Sequence, residues 1–116
     1  MSKRYDLVPL GDMYDYARRV AAKVEGVTRE AFDADDDRQL AITYLLQTIG
    51  EAARRVSAEG RAMHPAIEWH KIVGMRNRVV HEYRDVDFAT VWEVATTEIP
   101  RLIDALRQFM PNEPPE

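Results

Sequence analysis

Residues 33–60 read DADDDRQLAITYLLQTIGEAARRVSAEG and carry the clearest structural signal in the chain. Apolar residues recur three and four positions apart, at Ala41, Ile42, Leu45, Leu46, Ile49, Ala52, Ala53 and Val56. This spacing predicts an amphipathic α-helix with one apolar face. The aspartates of 33–37 can cap the first turn of this helix and complement its dipole. We expect the helix to end between Ser57 and Gly60.

A similar stripe lies upstream and predicts a first helix. Its members are Leu10, Met13, Tyr14, Ala17, Val20, Ala21 and Val24. Gly26 lies close to the expected end of this helix. Thr28 is suited to cap a short helical turn that reaches Phe32.

Downstream, residues 60–67 (GRAMHPAI) are expected to form a loop, because Pro65 cannot donate a backbone hydrogen bond. A third helix is predicted from about Glu68 to Glu82 or Tyr83, and a turn should follow it.

The last helical stretch begins after Asp87, which is a candidate N-cap. Its apolar stripe consists of Phe88, Val91, Trp92, Ala95, Ile99, Leu102, Ile103, Leu106 and Phe109. Pro100 lies inside this stripe and removes the hydrogen bond to the carbonyl of Thr96, so it should kink the helix or split it in two.

Together these patterns predict an all-α fold, an antiparallel up-and-down bundle of four to five helices with the last one kinked or split at Pro100. No segment shows a convincing strand alternation. Residues 1–110 are expected to form a single domain, and residues 111–116 (PNEPPE) a disordered tail.

The composition of the 116 residues is that of one globular domain, with 46 % apolar and 31 % charged residues. The lack of cysteine excludes disulfides, thiolate zinc sites and cysteine nucleophiles. No apolar run is long enough to span a bilayer, and the start of the chain has no signal-peptide pattern. We therefore expect a cytoplasmic protein that does not contact membranes.

The net charge of −4 argues against general coating of nucleic acid, but the cations are unevenly placed. Between positions 71 and 84 there is one anion, Glu82, and there are four cations, Lys71, Arg76, Arg78 and Arg84. A dimer joining two such segments would hold eight cations against two anions, enough for a local basic site.

The third helix places Arg76 near the middle of its apolar arc, where a guanidinium needs a carboxylate, a phosphate or water. Two interpretations stay open: a structural ion pair, for which Glu51 is a candidate, or a cleft where Arg76 binds phosphate. His81 lies about 140° from Arg76 around the same helix, with Asn77 one turn behind it. Two copies about a two-fold axis would bring both residue types into one cleft, although a lone histidine at a helix end is more commonly a cap or a surface residue.

Metal sites are not predicted. His81-Glu82 begins like a zinc-protease helix, but Asp85 stands where the second histidine is required. No Glu-x-x-His pair exists, and the aspartates of 33–37 lack the glycine and terminal glutamate of a calcium loop. We expect no cofactor, and His64 and His70 are predicted to be loop and surface residues.

Residues 76–83, RNRVVHEY, resemble the Arg-x4-His-x-Tyr motif of HEPN-domain proteins, in the branch called DUF86 or HepT. The resemblance covers nearly the whole chain, because the flanking segments also match: 49–53, Trp69, 74–77, 86–92 and 99–100. Proteins of this branch are small and helical, and many are encoded beside a minimal nucleotidyltransferase as toxin–antitoxin pairs.

The resemblance implies a metal-independent endoribonuclease toxin that acts as a homodimer on tRNA or mRNA. His81 would be the general base on the ribose 2′-hydroxyl or the general acid on the leaving 5′-oxygen. Arg76 would stabilise charge on the phosphate, and Asn77 would orient the substrate or His81. The products would be a 2′,3′-cyclic phosphate and a 5′-hydroxyl.

The resemblance also implies how the toxin is silenced. The partner nucleotidyltransferase antitoxin would transfer AMP from ATP to Tyr83, although Tyr83 alone would be interpreted as a core residue. We expect Arg78, Arg84 and Lys71 to contact the RNA backbone, and Glu51 to support Arg76.

Two other interpretations compete with the nuclease. One is a homodimeric binding module that mainly engages its nucleotidyltransferase or a nucleotide and has little nuclease activity. The other is a purely structural bundle, which is disfavoured because it gives no reason for Arg76 among apolar neighbours. An RNA cleavage assay without divalent cations distinguishes the nuclease from the binding module, because only the nuclease should cleave.

Overall fold

The computed structural model describes residues 6–82, 85–108 and 110. The elements are α1 (Leu7–Val24), α2 (Arg29–Asp33), α3 (Asp36–Arg54), α4 (Ala58–Ala62), α5 (Trp69–Val73), α6 (Met75–Val79), β1 (Val80–Glu82), β2 (Asp85–Val86), α7 (Phe88–Glu93), a π-helical turn (Val94–Glu98) and α8 (Ile99–Arg107). The predicted all-α class is confirmed, with one small hairpin added. Within the described ranges, no helix combines the length and apolar character needed to cross a membrane. Phe109 and the tail predicted at 111–116 lie outside these ranges.

Helices α1 and α3 form an antiparallel pair that is joined at both ends. At one end, Arg38 Nη1 donates to the backbone carbonyl of Lys23 at 2.7 Å. At the other, Arg55 Nη2 lies 2.9 Å from Asp12 Oδ2. The facing stripes are buried as predicted, through Leu10, Met13, Ala17 and Val20 on α1 and Ile42, Leu45, Leu46 and Ile49 on α3.

The predicted helix starts near Thr28 and Asp35 are confirmed. Thr28 Oγ1 accepts from the backbone N–H of Ala31 at 3.0 Å, and Asp35 Oδ1 accepts from the backbone N–H of Arg38 at 3.0 Å. The bond from Arg38 lowers the pKa of the Asp35 carboxyl. At neutral pH this carboxyl is therefore ionised, and it stabilises the N-terminus of α3.

Helix α3 ends earlier than predicted, before Ser57, and the chain starts a new helix there. Ser57 Oγ accepts from the backbone N–H of Gly60 at 2.9 Å, which caps α4. The buried carboxylate of Asp6 accepts from the Ser57 backbone N–H at 2.9 Å and from its hydroxyl at 2.7 Å. These bonds compete with continuation of α3. The loop predicted over 60–67 accordingly begins only at Met63.

The prediction of one helix from Glu68 to Glu82 or Tyr83 is wrong. The chain forms two short helices that meet at Gly74, and the second ends at Val79. Val80 adopts extended backbone with φ −120° and ψ 109°. Strand β1 then pairs antiparallel with β2, a short hairpin where the sequence predicted a helix end and a turn.

The predicted division of the last helix at Pro100 is confirmed and takes the form of a π-helical turn. The backbone N–H of Ile99 donates to the carbonyl of Val94, five residues back, in place of the usual four. Pro100 has no N–H to continue the α-helical pattern toward Thr96. The wider turn before Pro100 accommodates that loss while the helical run continues into α8.

His64 lies in a loop, as expected, but its side chain is buried and is not at the surface. Its exposed fraction is 3 %, and its backbone carbonyl accepts from Trp69 Nε1 at 3.1 Å. Burial lowers the pKa of the His64 imidazole. His70, by contrast, is exposed on α5 as expected.

Gly50 sets the distance between α3 and the junction of α5 and α6. A Cβ atom at this position would lie 2.8 Å from the carbonyl oxygen of Ile72 and 3.2 Å from the Cβ of Met75. Only glycine permits this approach. The contact holds α6 against the core, and α6 carries part of the candidate site.

Candidate active site

Helix α6 has one buried side and one exposed side. Met75 and Val79 lie one turn apart and are buried in the core. Arg76 and Asn77 are exposed. Within the described part of the chain, Arg76 forms no hydrogen bond or ion pair. The core contacts of α6 therefore present a guanidinium and an amide to solvent.

The prediction that Arg76 lies inside an apolar arc is wrong, because that arc assumed one straight helix. On α6 alone, Arg76 is rotated roughly 80° from the midpoint between Met75 and Val79. The predicted pair with Glu51 is also not formed. Glu51 Oε1 instead lies 3.9 Å from Arg54 Nε, and both side chains are exposed. Arg76 is thus open to an external anion.

Arg78, the next cation on α6, is in a different environment. Its Nη1 donates to Glu98 Oε1 at 2.9 Å, and its Nη2 donates to Glu98 Oε2, so the pair is bidentate. Both side chains are 27 % exposed. The bonds from Arg78 lower the pKa of the Glu98 carboxyl, and the same pairing raises the pKa of the guanidinium. This neutralised pair disfavours the predicted contact of Arg78 with RNA.

His81 lies on β1 and is 55 % exposed, so solvent reaches the imidazole. Its Nε2 lies 3.2 Å from Asp87 Oδ2, and the Asp87 side chain is 26 % exposed. The contact depends on the hairpin, which returns the chain to the end of α6. There the backbone N–H of Asp87 donates to the carbonyl of Val79 at 2.7 Å.

Asp87 also caps α7, as predicted. Its Oδ1 accepts from the backbone N–H of Thr90 at 3.0 Å, and its Oδ2 accepts from the Thr90 hydroxyl at 2.8 Å. The Thr90 backbone bond is the largest of several contributions that lower the pKa of the Asp87 carboxyl. Asp87 is therefore an anion at neutral pH, and one of its oxygens faces His81.

The remaining predicted site residues are less informative. Lys71 is exposed, with its Nζ 3.2 Å from Glu68 Oε2. Tyr83 and Arg84 lie outside the described residues. Over the ranges that the structure describes, no group of three or more His, Asp or Glu side chains could hold a metal ion.

Three chemical functions lie on the consecutive elements α6 and β1. Arg76 offers a planar cation suited to phosphate, His81 offers proton transfer, and Asn77 offers an amide that can donate and accept. All three are exposed, and they lie on either side of the bend at Val80.

Comparison with known proteins identifies the family of the chain. The sequence profile of the family described as "Ribonuclease HepT-like" matches residues 13–109. The chain belongs to this family. The match begins in α1 and runs past the end of α8, so the HepT-like region includes every candidate residue.

Several named relatives share this HepT-like region. A protein provisionally named an RNase in Caldanaerobacter subterraneus subsp. tengcongensis is 33 % identical over 91 residues, covering 78 % of this chain and 81 % of the relative. Another provisionally named RNase, from Methanocaldococcus jannaschii, is 31 % identical over 102 residues, 88 % of this chain and 84 % of the relative. A protein named a probable ribonuclease HepT in Thermococcus cleftensis is 32 % identical over 95 residues, 76 % of this chain and 86 % of the relative. No solved structure matches the chain.

In this HepT-like chain, sequence reasoning missed the contact between Asp87 and His81. The sequence predicts Asp87 only as a helix cap. The β-branched pair Val79-Val80 was the available signal that the chain becomes extended there.

Proposed function

We propose that this HepT-like chain is a metal-independent endoribonuclease in which His81 transfers protons and Arg76 stabilises the phosphate. One observation carries the proposal: an exposed imidazole beside a carboxylate and an exposed guanidinium without a partner among the described residues, five positions apart. RNA supplies the phosphate for the guanidinium and the 2′-hydroxyl for the imidazole. Membership of the family and the names of its relatives support RNA as the substrate.

The reaction needs one proton acceptor and one proton donor. His81 accepts the proton of a ribose 2′-hydroxyl, and the 2′-oxygen forms a bond to the adjacent phosphorus. The bond from phosphorus to the 5′-oxygen breaks, and that oxygen receives a proton from an imidazolium. The products are a 2′,3′-cyclic phosphate and a 5′-hydroxyl, so no water is consumed in this step. General acid–base transfer of this kind contributes about 10²- to 10⁴-fold in rate.

Arg76 acts on the phosphate itself. Negative charge accumulates on its non-bridging oxygens as the 2′-oxygen attacks, and the fork of a guanidinium matches two of them. Because Arg76 has no carboxylate partner among the described residues, the phosphate would not have to displace one. Asn77, its exposed neighbour, orients the substrate or the imidazole.

The acid and the base are assigned to two copies of the chain. A homodimer brings a second His81 to the same cleft, so that one imidazole starts neutral and the other starts protonated. Lys71 and Arg84 provide further positive charge for the backbone of tRNA or mRNA. Arg78 is left out of this role because it is paired with Glu98.

Regulation is assigned to Tyr83 on the family resemblance alone. A nucleotidyltransferase antitoxin would direct the phenolic oxygen of Tyr83 to the α-phosphorus of ATP, with loss of the phenolic proton and release of pyrophosphate. The attached AMP adds negative charge and bulk two positions from His81, where an RNA phosphate must enter. The nuclease would then be a toxin that its partner silences.

The test is cleavage of tRNA and mRNA in EDTA by the wild-type chain and by His81→Ala. We expect wild type to leave 2′,3′-cyclic phosphate ends and His81→Ala to leave the RNA intact, with unchanged helical content. His70→Ala is the matched control, because His70 is also exposed but lies on α5. His81→Ala should also relieve any growth arrest caused by expression.

Two results would contradict the nuclease. If wild type cleaves and His81→Ala cleaves equally well, His81 is not the acid or base. If wild type leaves every RNA intact while it binds a nucleotide or a nucleotidyltransferase, the chain is a binding module.

A further inference from the structure

We propose that Asp87 is a positioning residue for His81: its carboxylate keeps the proton of the neutral imidazole on Nε2 and leaves Nδ1 to exchange protons with RNA. This inference rests on the proposed ribonuclease function and identifies the group that orients its base. The sequence alone predicts only a capping role for Asp87.

The carboxylate of Asp87 faces one particular nitrogen of the His81 ring. Asp87 Oδ2 lies 3.2 Å from His81 Nε2. An ionised carboxylate can only accept hydrogen bonds, so it favours the tautomer whose proton is on Nε2, the nitrogen that faces it. In the neutral ring the other nitrogen then carries the lone pair. Nδ1 is therefore the atom that can take a proton from a 2′-hydroxyl.

The carboxylate of Asp87 is held in a fixed orientation. Both of its oxygens are held by Thr90, through the backbone N–H at 3.0 Å and the hydroxyl at 2.8 Å. The backbone N–H of Asp87 is bonded to the Val79 carbonyl at 2.7 Å, at the end of the helix that carries Arg76. Asp87 thus places the imidazole relative to α6 and its guanidinium.

The two oxygens of Asp87 allow its role beside His81 to be separated from helix capping. The cap of α7 uses Oδ1 of Asp87, whereas His81 is contacted by Oδ2. In Asp87→Asn the amide oxygen can keep the bond from the Thr90 backbone, because asparagine is as good an N-cap as aspartate. The amide nitrogen then faces Nε2 and donates, which moves the ring proton to Nδ1. The substitution keeps the backbone cap on Oδ1, turns the Thr90 hydroxyl from donor to acceptor and reverses the tautomer.

The experiment compares full-length wild type with Asp87→Asn and with Asp85→Asn. Asp85 is the matched control, since it is an exposed aspartate on β2 two positions away. Rates are measured on one RNA in EDTA, melting temperatures are measured by circular dichroism, and the His81 tautomer is measured from ¹⁵N imidazole shifts at a pH where the ring is neutral.

For Asp87→Asn we expect kcat to fall between about 10-fold and about 10⁴-fold with KM unchanged, the range covered by other groups that orient a functional histidine. The melting temperature should stay close to that of wild type. The ring proton should be on Nε2 in wild type and in Asp85→Asn, and on Nδ1 in Asp87→Asn.

The inference is overturned if wild type carries the proton on Nδ1, or if Asp87→Asn keeps the wild-type tautomer and kcat. Asp87→Ser provides a second measurement, because serine also caps a helix but is too short to reach Nε2. Failure of the proposed function is distinguishable: an RNA left intact by wild type overturns the nuclease, while the tautomer in wild type still decides whether Asp87 positions His81.

Discussion

Arg76 and Arg78 are two positions apart on α6 and have opposite environments. Arg78 is held by both oxygens of Glu98 and connects α6 to the π-helical turn. Arg76 is exposed and, within the described residues, has no partner. We therefore expect a substitution of Arg76 to affect phosphate binding and catalysis and to leave folding unchanged.

Arg76→Lys tests this difference at the residue scale. Lysine keeps the charge but loses the planar fork that binds two phosphate oxygens, so we expect cleavage to slow about 10²-fold. The midpoint of urea unfolding should not change. Arg101→Lys, on the exposed side of α8, is the control for loss of an arginine elsewhere. Full activity in Arg76→Lys would show that the position needs only a positive charge.

At the scale of elements, Gly50 gives the sharpest prediction. In Gly50→Ala the added methyl would lie 2.8 Å from the Ile72 carbonyl oxygen, and backbone at that distance has to move. We expect the free energy of unfolding to fall by about 1–3 kcal/mol, measured with urea. Gly11→Ala is the control, because a Cβ there has no neighbour within 4 Å. That variant should gain about 0.5–1 kcal/mol from helix propensity. Equal stability of the two variants would contradict the close contact of α3 with α5 and α6.

The elements that could be predicted from sequence are those whose signals are local. Helices α1 and α3 follow from uninterrupted stripes, and their caps follow from polar residues at the expected offsets. The end of α3 and the break of the third helix depend on distant contacts. Asp6 bonds to Ser57 across 51 positions, and the end of α6 is set by pairing of β1 with β2. No periodicity within a short window contains that information.

For the candidate site too, the sequence predicts the local features and not those that depend on distant contacts. The residue types of 76–83 and their order identify Arg76 and His81, because a motif is local in sequence. Their surroundings could not be predicted, since the burial expected for Arg76 assumed a helix that the structure breaks. The contact of His81 with Asp87 required the hairpin, and the sequence predicted a helix end and a turn in that place.

At the scale of the whole molecule, four side chains have pKa values that are lowered in the folded chain. These lowered pKa values predict that the protein loses stability in acid. The folded pKa values of Asp35, Asp87 and Glu98 lie below their ordinary values of 3.8, 3.8 and 4.5. The stability that these carboxylates contribute is present above those values and is lost as the pH falls toward the folded pKa values. The folded pKa of His64 lies below 6.5, so the unfolded chain binds that proton first and stability declines from about pH 6.5 downward.

The measurement is urea unfolding from pH 8 to pH 3. We expect the free energy of unfolding to be constant near pH 8 and to decline slowly below about pH 6.5. It should decline more steeply below about pH 4.5, where several carboxyls titrate together. One proton contributes at most about 1.4 kcal/mol per pH unit. His64→Gln should remove the shallow decline and keep the steep one. A wild-type midpoint that is constant between pH 7 and pH 5 would contradict the burial of a neutral His64.

The assembly gives the last prediction, because the proposed mechanism divides two proton transfers between two copies of His81. A heterodimer of wild type and His81→Ala, purified through two different tags, lacks either the base or the acid in its cleft. We expect its cleavage rate to fall by about 10²-fold or more. The control heterodimer, wild type with His70→Ala, should cleave at the wild-type rate. If the His81→Ala heterodimer keeps close to half of the wild-type rate, each copy carries a self-sufficient site. If the chain remains a 13.4 kDa monomer while it cleaves RNA, the shared cleft is wrong and one imidazole must serve both transfers in turn.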